Sequence, residues 1–376
     1  MVRAGIKKLL SLLILCSVWF IIGFYFHDFQ MSKVKLTTTT SNRLVQSDEQ
    51  TKQRGNQADD VKTMKKPGHK LPRCRGQRDF AINVPQLDAK IWDKVKLVVL
   101  FIGYERSGHS LIGSLLDAHP NIVIADEMHS VKTWQSFPKE DKTRNNLFQA
   151  LYSNSYKMSQ RGERSSKNCV STLGGYKYKV PNQWQGRFDN NIQVVGDKDG
   201  SKAVRDLALN PYIKDVFPQM QKAVNLPFKY IHVVRNPFDI VATMILQHIS
   251  RDPISSQDRK KFFLNPFNAS KEVQEHWAKY HETYTGGAVK LLKRFGDDVI
   301  TIFSEEMIEN PTKELKRLCE FLSVSCSADY LKDCSSIVNA RPSKSRYTIL
   351  WTEKTKKFVA ELIKKTPILH RYSFDD

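Results

Sequence analysis

The run KLVVLFIGYERSGHSL, from Lys96 to Leu111, narrows the possible folds of this chain more than any other stretch. Its first half is apolar and β-branched, which reads as a buried strand. The run breaks at Gly103 into a short loop carrying Arg106, Ser107, Gly108, His109 and Ser110. Leu111–Ala118 then resumes with the spacing of an amphipathic helix. A strand, a glycine-containing loop and a helix start, in that order, turn free backbone N–H groups and the positive end of a helix toward one point. That arrangement cradles a phosphate. The loop is nevertheless not a Walker A sequence, since it lacks the Gly-Lys-Ser/Thr ending and the four-residue gap between glycines.

Downstream, the pattern alternates. Strands are expected at Leu97–Ile102, Ile122–Ala125, Gln193–Val195, Tyr230–Val234 and Val299–Phe303. Helices are expected at Leu111–Ala118, Ala203–Leu209, Pro237–Ser250, Lys271–Phe295, Thr312–Leu322 and Thr352–Lys365. Such alternation predicts a three-layer, P-loop-like α/β fold around a mainly parallel central sheet, with its site at the carboxyl ends of the strands. Phe137–Asn191 shows no clean period and reads as an insertion over the site, a substrate-facing lid. No internal repeat is present.

Ahead of this body, Leu9–Phe26 is 18 residues without a charge, preceded by Arg3, Lys7 and Lys8 and rich in aromatic residues toward its end. It reads as an uncleaved signal-anchor, with 1–8 as a cytoplasmic tail and the rest of the chain across the membrane. No small-residue cleavage site follows it. From about Gln30 the sequence is polar and poor in large apolar residues, a flexible stem reaching to 92, with the globular domain at 93–376. The chain of 376 residues carries a formal net charge of +20, which favours acidic partners, among them anionic glycans, phosphorylated cosubstrates, nucleic acid and membrane surfaces.

Five cysteines follow the apolar run: Cys74, Cys169, Cys319, Cys326 and Cys334. In an oxidising lumen one would be left unpaired or paired between chains, as in a homodimer. Cys326 and Cys334 bracket a short polar segment and are expected to pair, with Cys319 a buried thiol. No spacing suggests a metal site, and none is expected. Asn268–Ala269–Ser270 is a glycosylation sequon, consistent with a secretory-pathway body.

A second anion-facing element begins at Tyr230–Val234, where a strand delivers Arg235 at its carboxyl end. Asn236 can cap the following helix, Pro237 suits its first turn, and Asp239 sits at the capping-box position. Thr243 lies on that helix, eight residues after Arg235. An arginine and a hydroxyl so placed can grip a second phosphate.

Together the two elements resemble the phosphosulfate-binding motifs of sulfotransferases that use 3′-phosphoadenosine 5′-phosphosulfate as co-substrate. Arg106–Ser107–Gly108–His109–Ser110 is similar to the loop that holds the 5′-phosphosulfate. Arg235 with Thr243 is similar to the element that holds the 3′-phosphate. Locally the chain most resembles the tyrosylprotein group: Leu116–Asp117–Ala118–His119–Pro120 leads to the acid pair Asp126–Glu127, with Glu127 21 residues after Arg106. The resemblance makes Glu127 the general base, with His129 in reserve, and a carboxylate or imidazole is what a hydroxyl attacking sulfur requires. Val194–Gly200 resembles the segment that supplies a lysine to the bridging oxygen, so Lys198, with Arg106, would stabilise charge on the leaving phosphate. Ser343–Tyr347 looks like the late basic loop that closes the nucleotide site, which implicates Ser343 and Arg346.

Three positions depart from the family pattern. His109 stands where Thr or Ser is usual, and a protonated imidazole there would add positive charge. Leu111 stands where cytosolic members carry Trp. Phe303–Ser304–Glu305 lacks a Tyr that the tyrosylprotein group places before its Glu. The resemblance implies a Golgi-lumen enzyme, a single-pass type II membrane protein, that makes a sulfate ester on a hydroxyl acceptor. A glycan is expected and protein tyrosine is the alternative, with no nucleic-acid partner. Outside this class stand a P-loop kinase or NTPase, which would need a Walker lysine and an acidic metal site, and a non-catalytic anion-binding protein.

Overall fold

The computed structural model describes residues 82–160, 178–213, 215–249 and 261–376. All of them fall in one compact unit, Gly68–Asp376. The expected signal-anchor, Cys16, Cys74, Cys169 and most of the expected stem lie outside the described residues. Among those that are described, no helix is long and apolar enough to cross a membrane.

Five strands form one sheet: β1 (Leu97–Gly103), β2 (Ile122–Asp126), β3 (Val194–Gly200), β4 (Phe228–Val234) and β5 (Val299–Phe303). Every pairing is parallel, in the order β2-β3-β1-β4-β5. β1 thus lies at the centre with β3 and β4 as neighbours, and the loops leaving these strands diverge around a crevice. Alternation along β1 builds a core on each face. Val98, Leu100 and Ile102 point into one, Leu97, Val99 and Phe101 into the other. Helices cover both faces, which makes three layers.

The helices that matter for the site are α1 (His109–Asp117), α2 (Ser130–Ser136), α3 (Arg144–Gln160), α4 (Ser201–Val204), α5 (Val216–Val224), α6 (Pro237–Ile249), α7 (Lys271–Phe295), α8 (Ser304–Glu309), α9 (Pro311–Phe321), α10 (Ala328–Ser336) and α11 (Glu353–Lys365). α4 runs straight into a π turn, Arg205–Leu209. The packed body starts ahead of 93: Trp92 is buried, with Val84, Leu87 and Ile91 against the same core.

Three sequence expectations need correction. The segment expected as a lid contains α3, whose Leu147, Phe148, Leu151, Tyr152, Ser155 and Met158 are buried. The helical spacing of these residues was masked by the polar Asn, Gln and Ser residues between them, and 161–177 lies outside the described residues. β3 does not stop at Val195. It continues through Asp197, Lys198 and Asp199, all buried, because its charges are met by partners on neighbouring elements.

The disulfide joins Cys319 to Cys326, with Cα atoms 6.1 Å apart, and Cys334 is the buried thiol. Cys319 near the end of α9 faces the loop that returns past Cys326, which sets the two at bonding distance. Cys334 lies on α10, its Sγ toward the Leu115 carbonyl oxygen at 3.8 Å, and burial pushes its thiol up to about 12. The ring of His119 is tied to the cystine loop through Nε2 and the Ser325 carbonyl oxygen, 2.9 Å apart.

Candidate active site

β1 ends at Gly103, where a Cβ would sit 2.8 Å from the Val233 carbonyl oxygen, so only glycine lets β1 and β4 run this close. Gly108, in the left-handed region at φ +97°, is the N-cap of α1 and offers no side chain to the N–H groups of its first turn. Those donors face the loop, as an anion requires. Arg106 also has positive φ (+62°), a conformation that costs a non-glycine residue roughly 1–2 kcal/mol. Its Nε is buried without a hydrogen-bond partner among the described residues. Ser107 is buried and its Oγ donates to the Tyr104 carbonyl oxygen at 2.8 Å.

His109 is 8% exposed, with Nδ1 3.1 Å from Ser107 Oγ. Its ring fills the space over Gly200, where a Cβ would come within 3.1 Å of three ring atoms. Burial above all, and then the charge of Lys198, push its pKa down to about 3. His109 is therefore neutral. The expected protonated imidazole is corrected: the cavity that admits the ring excludes the water that would solvate its charge.

The charged centre forms where β2 and β3 end. Lys198 is 1% exposed, and its Nζ lies 2.6 Å from Asp126 Oδ1, 2.9 Å from Glu127 Oε1 and 3.1 Å from Ser110 Oγ. One ammonium thus joins the acid pair to the first turn of α1. Its stem passes over Gly113, where a Cβ would lie 2.7 Å from Lys198 Cγ. Burial favours the neutral amine, but Asp126 and Glu127 outweigh it and raise the pKa.

Glu127 has φ +50° and its N–H donates to the Lys198 carbonyl oxygen at 3.0 Å. Burial pushes its carboxyl up, yet the charge and hydrogen bond of Lys198 prevail and bring it down to about 2. Lys202 Nζ stands 3.5 Å from Glu127 Oε2 and donates to His129 Nε2 at 2.9 Å. His129, also left-handed (φ +58°), holds Asp199 Oδ1 at 2.7 Å through Nδ1. Asp197 fixes the turn between these two strained residues, its oxygens accepting from Met128 N at 3.1 Å and Ser130 N at 2.8 Å.

The second element meets the first through Arg235. Its Nη1 donates to the Arg106 carbonyl oxygen, and Nη2 to the Ser343 carbonyl oxygen at 2.8 Å and Ser345 Oγ at 3.2 Å. Asn236 caps α6 as expected, Oδ1 accepting from Phe238 N at 3.0 Å. Asp239 does not close a capping box. Glu305 Oε1 takes the Asn236 N–H at 3.0 Å, while Asp239 Oδ1 accepts from Arg346 N at 2.8 Å and so pins the late loop. Thr243 is buried on α6 and donates to the Asp239 carbonyl oxygen at 2.7 Å. Arg346 is 3% exposed, its guanidinium donating to the Ser373 and Asp376 carbonyl oxygens at 3.3 and 2.7 Å. The structure therefore brings Arg106, Ser107, Gly108, His109, Ser110, Glu127 and Lys198 around one loop, with Arg235 and Ser343 beside it. Arg346 it turns toward the C-terminal segment.

Sequence reasoning missed Lys202, Asp197 and Asp199. Their signal was the run Asp197-Lys198-Asp199-Gly200-Ser201-Lys202 itself, four charges at the end of an apolar strand. The parallel register sets Lys198 beside Asp126 and Asp197 beside Ala125, which no single segment reveals. His119, Cys319 and Cys326 are metal-ligand types close together. Both sulfurs are spent in the cystine, and both His119 ring nitrogens are hydrogen-bonded, to Ser325 and Asn121.

The family described as "Sulfotransferase domain" matches residues 98–365, which span all five strands and the loops just described. Comparison with curated proteins gives no match. Among solved structures, similarity extends to a sulfotransferase domain from the Synechococcus PCC 7002 olefin synthase, at 12% identity over 74% of this chain and 96% of that one, TM-score 0.39. It extends also to a sulfotransferase from Alicyclobacillus acidocaldarius, at 17% identity over 73% and 96%, TM-score 0.36. A mouse sulfotransferase complexed with PAP matches at 12% identity over 73% and 89%, TM-score 0.37.

Proposed function

The chain belongs to the sulfotransferase domain family, and on that premise we propose that it moves a sulfonate group from 3′-phosphoadenosine 5′-phosphosulfate to a hydroxyl of a glycan. The observation that carries this reading is the position of Lys198 Nζ, in contact with Glu127 on one side and Ser110 of the donor loop on the other. The residues fit such a donor. Uncapped N–H groups of α1, the buried Arg106 Nε and the charge of Lys198 would hold one anion, while Arg235 and the 343–345 loop would offer a second grip.

The donor supplies an activated sulfonate on a phosphate leaving group. Glu127, ionised because of Lys198, takes the proton of the acceptor hydroxyl as the new O–S bond forms. The S–O bond to the phosphate breaks, and the electron pair leaves with the phosphate oxygen, where Lys198 and Arg106 receive the charge. A shift of Lys198 from Glu127 toward that oxygen frees Oε1 and restores its basicity at the moment it is needed. No step requires His109 to carry charge.

The compartment belongs to the same proposal: a Golgi-lumen enzyme anchored by residues 9–26. The Cys319–Cys326 disulfide and the exposed Asn268 of the sequon support an oxidising, glycosylating lumen. The test is transfer of labelled sulfonate by the full-length chain, expressed in animal cells, to a panel of glycans and an acidic tyrosine peptide. Incorporation into glycan is the expected result. Binding of a nucleoside triphosphate in place of 3′-phosphoadenosine 5′-phosphate (PAP) would overturn the reading.

A further inference from the structure

The base has a position, but the acceptor still needs a seat. Trp277, Tyr280 and Tyr284 stand three and four residues apart on α7 and share one face, each half-buried. Their rings touch in series, Trp277 to Tyr280 at 5.4 Å and Tyr280 to Tyr284 at 4.6 Å. This row is fastened to the donor loop. Tyr280 Oη donates to Glu105 Oε1 at 3.0 Å, and Ser201 Oγ donates to the same oxygen at 3.2 Å.

α7 also approaches α4 and its π turn at backbone distance. A Cβ on Gly287 would lie 2.6 Å from Val204 Cγ1 and 3.2 Å from Leu209. Tyr284, three residues before Gly287 on α7, is thereby set beside the segment that carries Arg205. Arg205 opens the π turn, a distortion that re-aims side chains and recurs at functional sites. Its Nε is held 3.0 Å from the buried Asp206, which leaves the side chain 42% exposed. Three residues before Arg205, Lys202 reaches His129 and Glu127.

We propose that Tyr280, Tyr284 and Arg205 form the acceptor seat, and that it takes an oligosaccharide bearing carboxylate groups. The partly exposed edges of such rings can pack the C–H face of a sugar ring. An arginine fixed through Nε presents its outer edge to a carboxylate. The wall is helical, with its backbone groups paired internally, so an extended peptide finds no edge to join. The proposal rests on the sulfonate-transfer reading above.

The test uses the full-length chain saturated with PAP and measures binding of size-defined chondroitin, heparosan and hyaluronan oligosaccharides, their carboxyl-reduced counterparts and an acidic tyrosine peptide. At least one uronate oligosaccharide is expected to bind, more tightly than its reduced form. Tyr284→Ala is expected to weaken that binding tenfold or more, Tyr284→Phe to retain it, and Arg205→Gln to erase the preference for the carboxylated form. PAP affinity should stay unchanged in all three variants. Absence of uronate binding, equal binding by Tyr284→Ala, or tighter binding of the peptide would overturn the proposal. Failure of the wild-type chain to bind PAP would instead strike the sulfonate-transfer reading.

Discussion

Arg235 Nη1 donates to the carbonyl oxygen of Arg106 at 3.1 Å, so the two anion-facing elements, distant in sequence, meet through one guanidinium. The same side chain holds the late loop at Ser343 and Ser345. On the proposed reading, a single arginine sets the shape of the donor site as well as its charge. Arg235→Ala is expected to weaken PAP binding about 10- to 100-fold, the scale of a lost charge-assisted hydrogen bond, with a smaller effect on kcat. Titration calorimetry with PAP checks it. Arg235→Lys should recover only part of the loss, because an ammonium cannot span both loops.

Glu127→Gln keeps the shape of the side chain and removes the proposed base. Turnover is expected to fall about 10²- to 10⁴-fold, with PAP affinity changed less than about threefold. His129→Ala is expected to cost much less, since its ring already answers to Asp199 and Lys202. The reverse ranking in a labelled-sulfonate assay would transfer the base role to His129.

Buried imidazoles make stability depend on pH, three of them strongly. Burial pushes His109, His232 and His281 down to about 3. Each therefore binds its proton more readily in the unfolded chain, whose value is near 6.5. Stability is full above that value and is lost as pH falls from 6.5 toward 3. Between pH 6.5 and 5.5 each imidazole is expected to withdraw about 1 kcal/mol. Thermal melts across that window check the slope, and His281→Phe should reduce it by about a third.

Reduction of Cys319–Cys326 opens a loop of sequence separation 7. Loss of about 2–3 kcal/mol is expected on the chain-entropy account. Cys326→Ser should lower the melting temperature and make it insensitive to reductant. Cys334→Ala should leave the response to reductant in place.

The fold was legible because β1, β2 and β4 are apolar runs buried on both faces, and the edge strand β5, though only partly buried, is an apolar run too. The loop from Arg106 to Ser110 was legible as a strand-to-helix turn for a local reason too, since its residues are consecutive. The rest depends on contacts between segments far apart in sequence. Asp197 and Asp199 look like a charged turn until the register sets them against α2 and His129. Arg346 looks like a free cation until Asp239 and Ser373 are seen around it. Helix α3 was hidden because its polar residues dilute a narrow apolar stripe.

Gly113 occupies an unremarkable place in α1, one turn past the 106–110 loop, yet its Cβ would press against Lys198 Cγ at 2.7 Å. Glycine on the first helix and lysine on the third strand are therefore a single inheritable unit. A lineage that replaced either alone would lose the ammonium's path to Ser110 and Glu127, whereas a chain that abandoned the chemistry could change both freely.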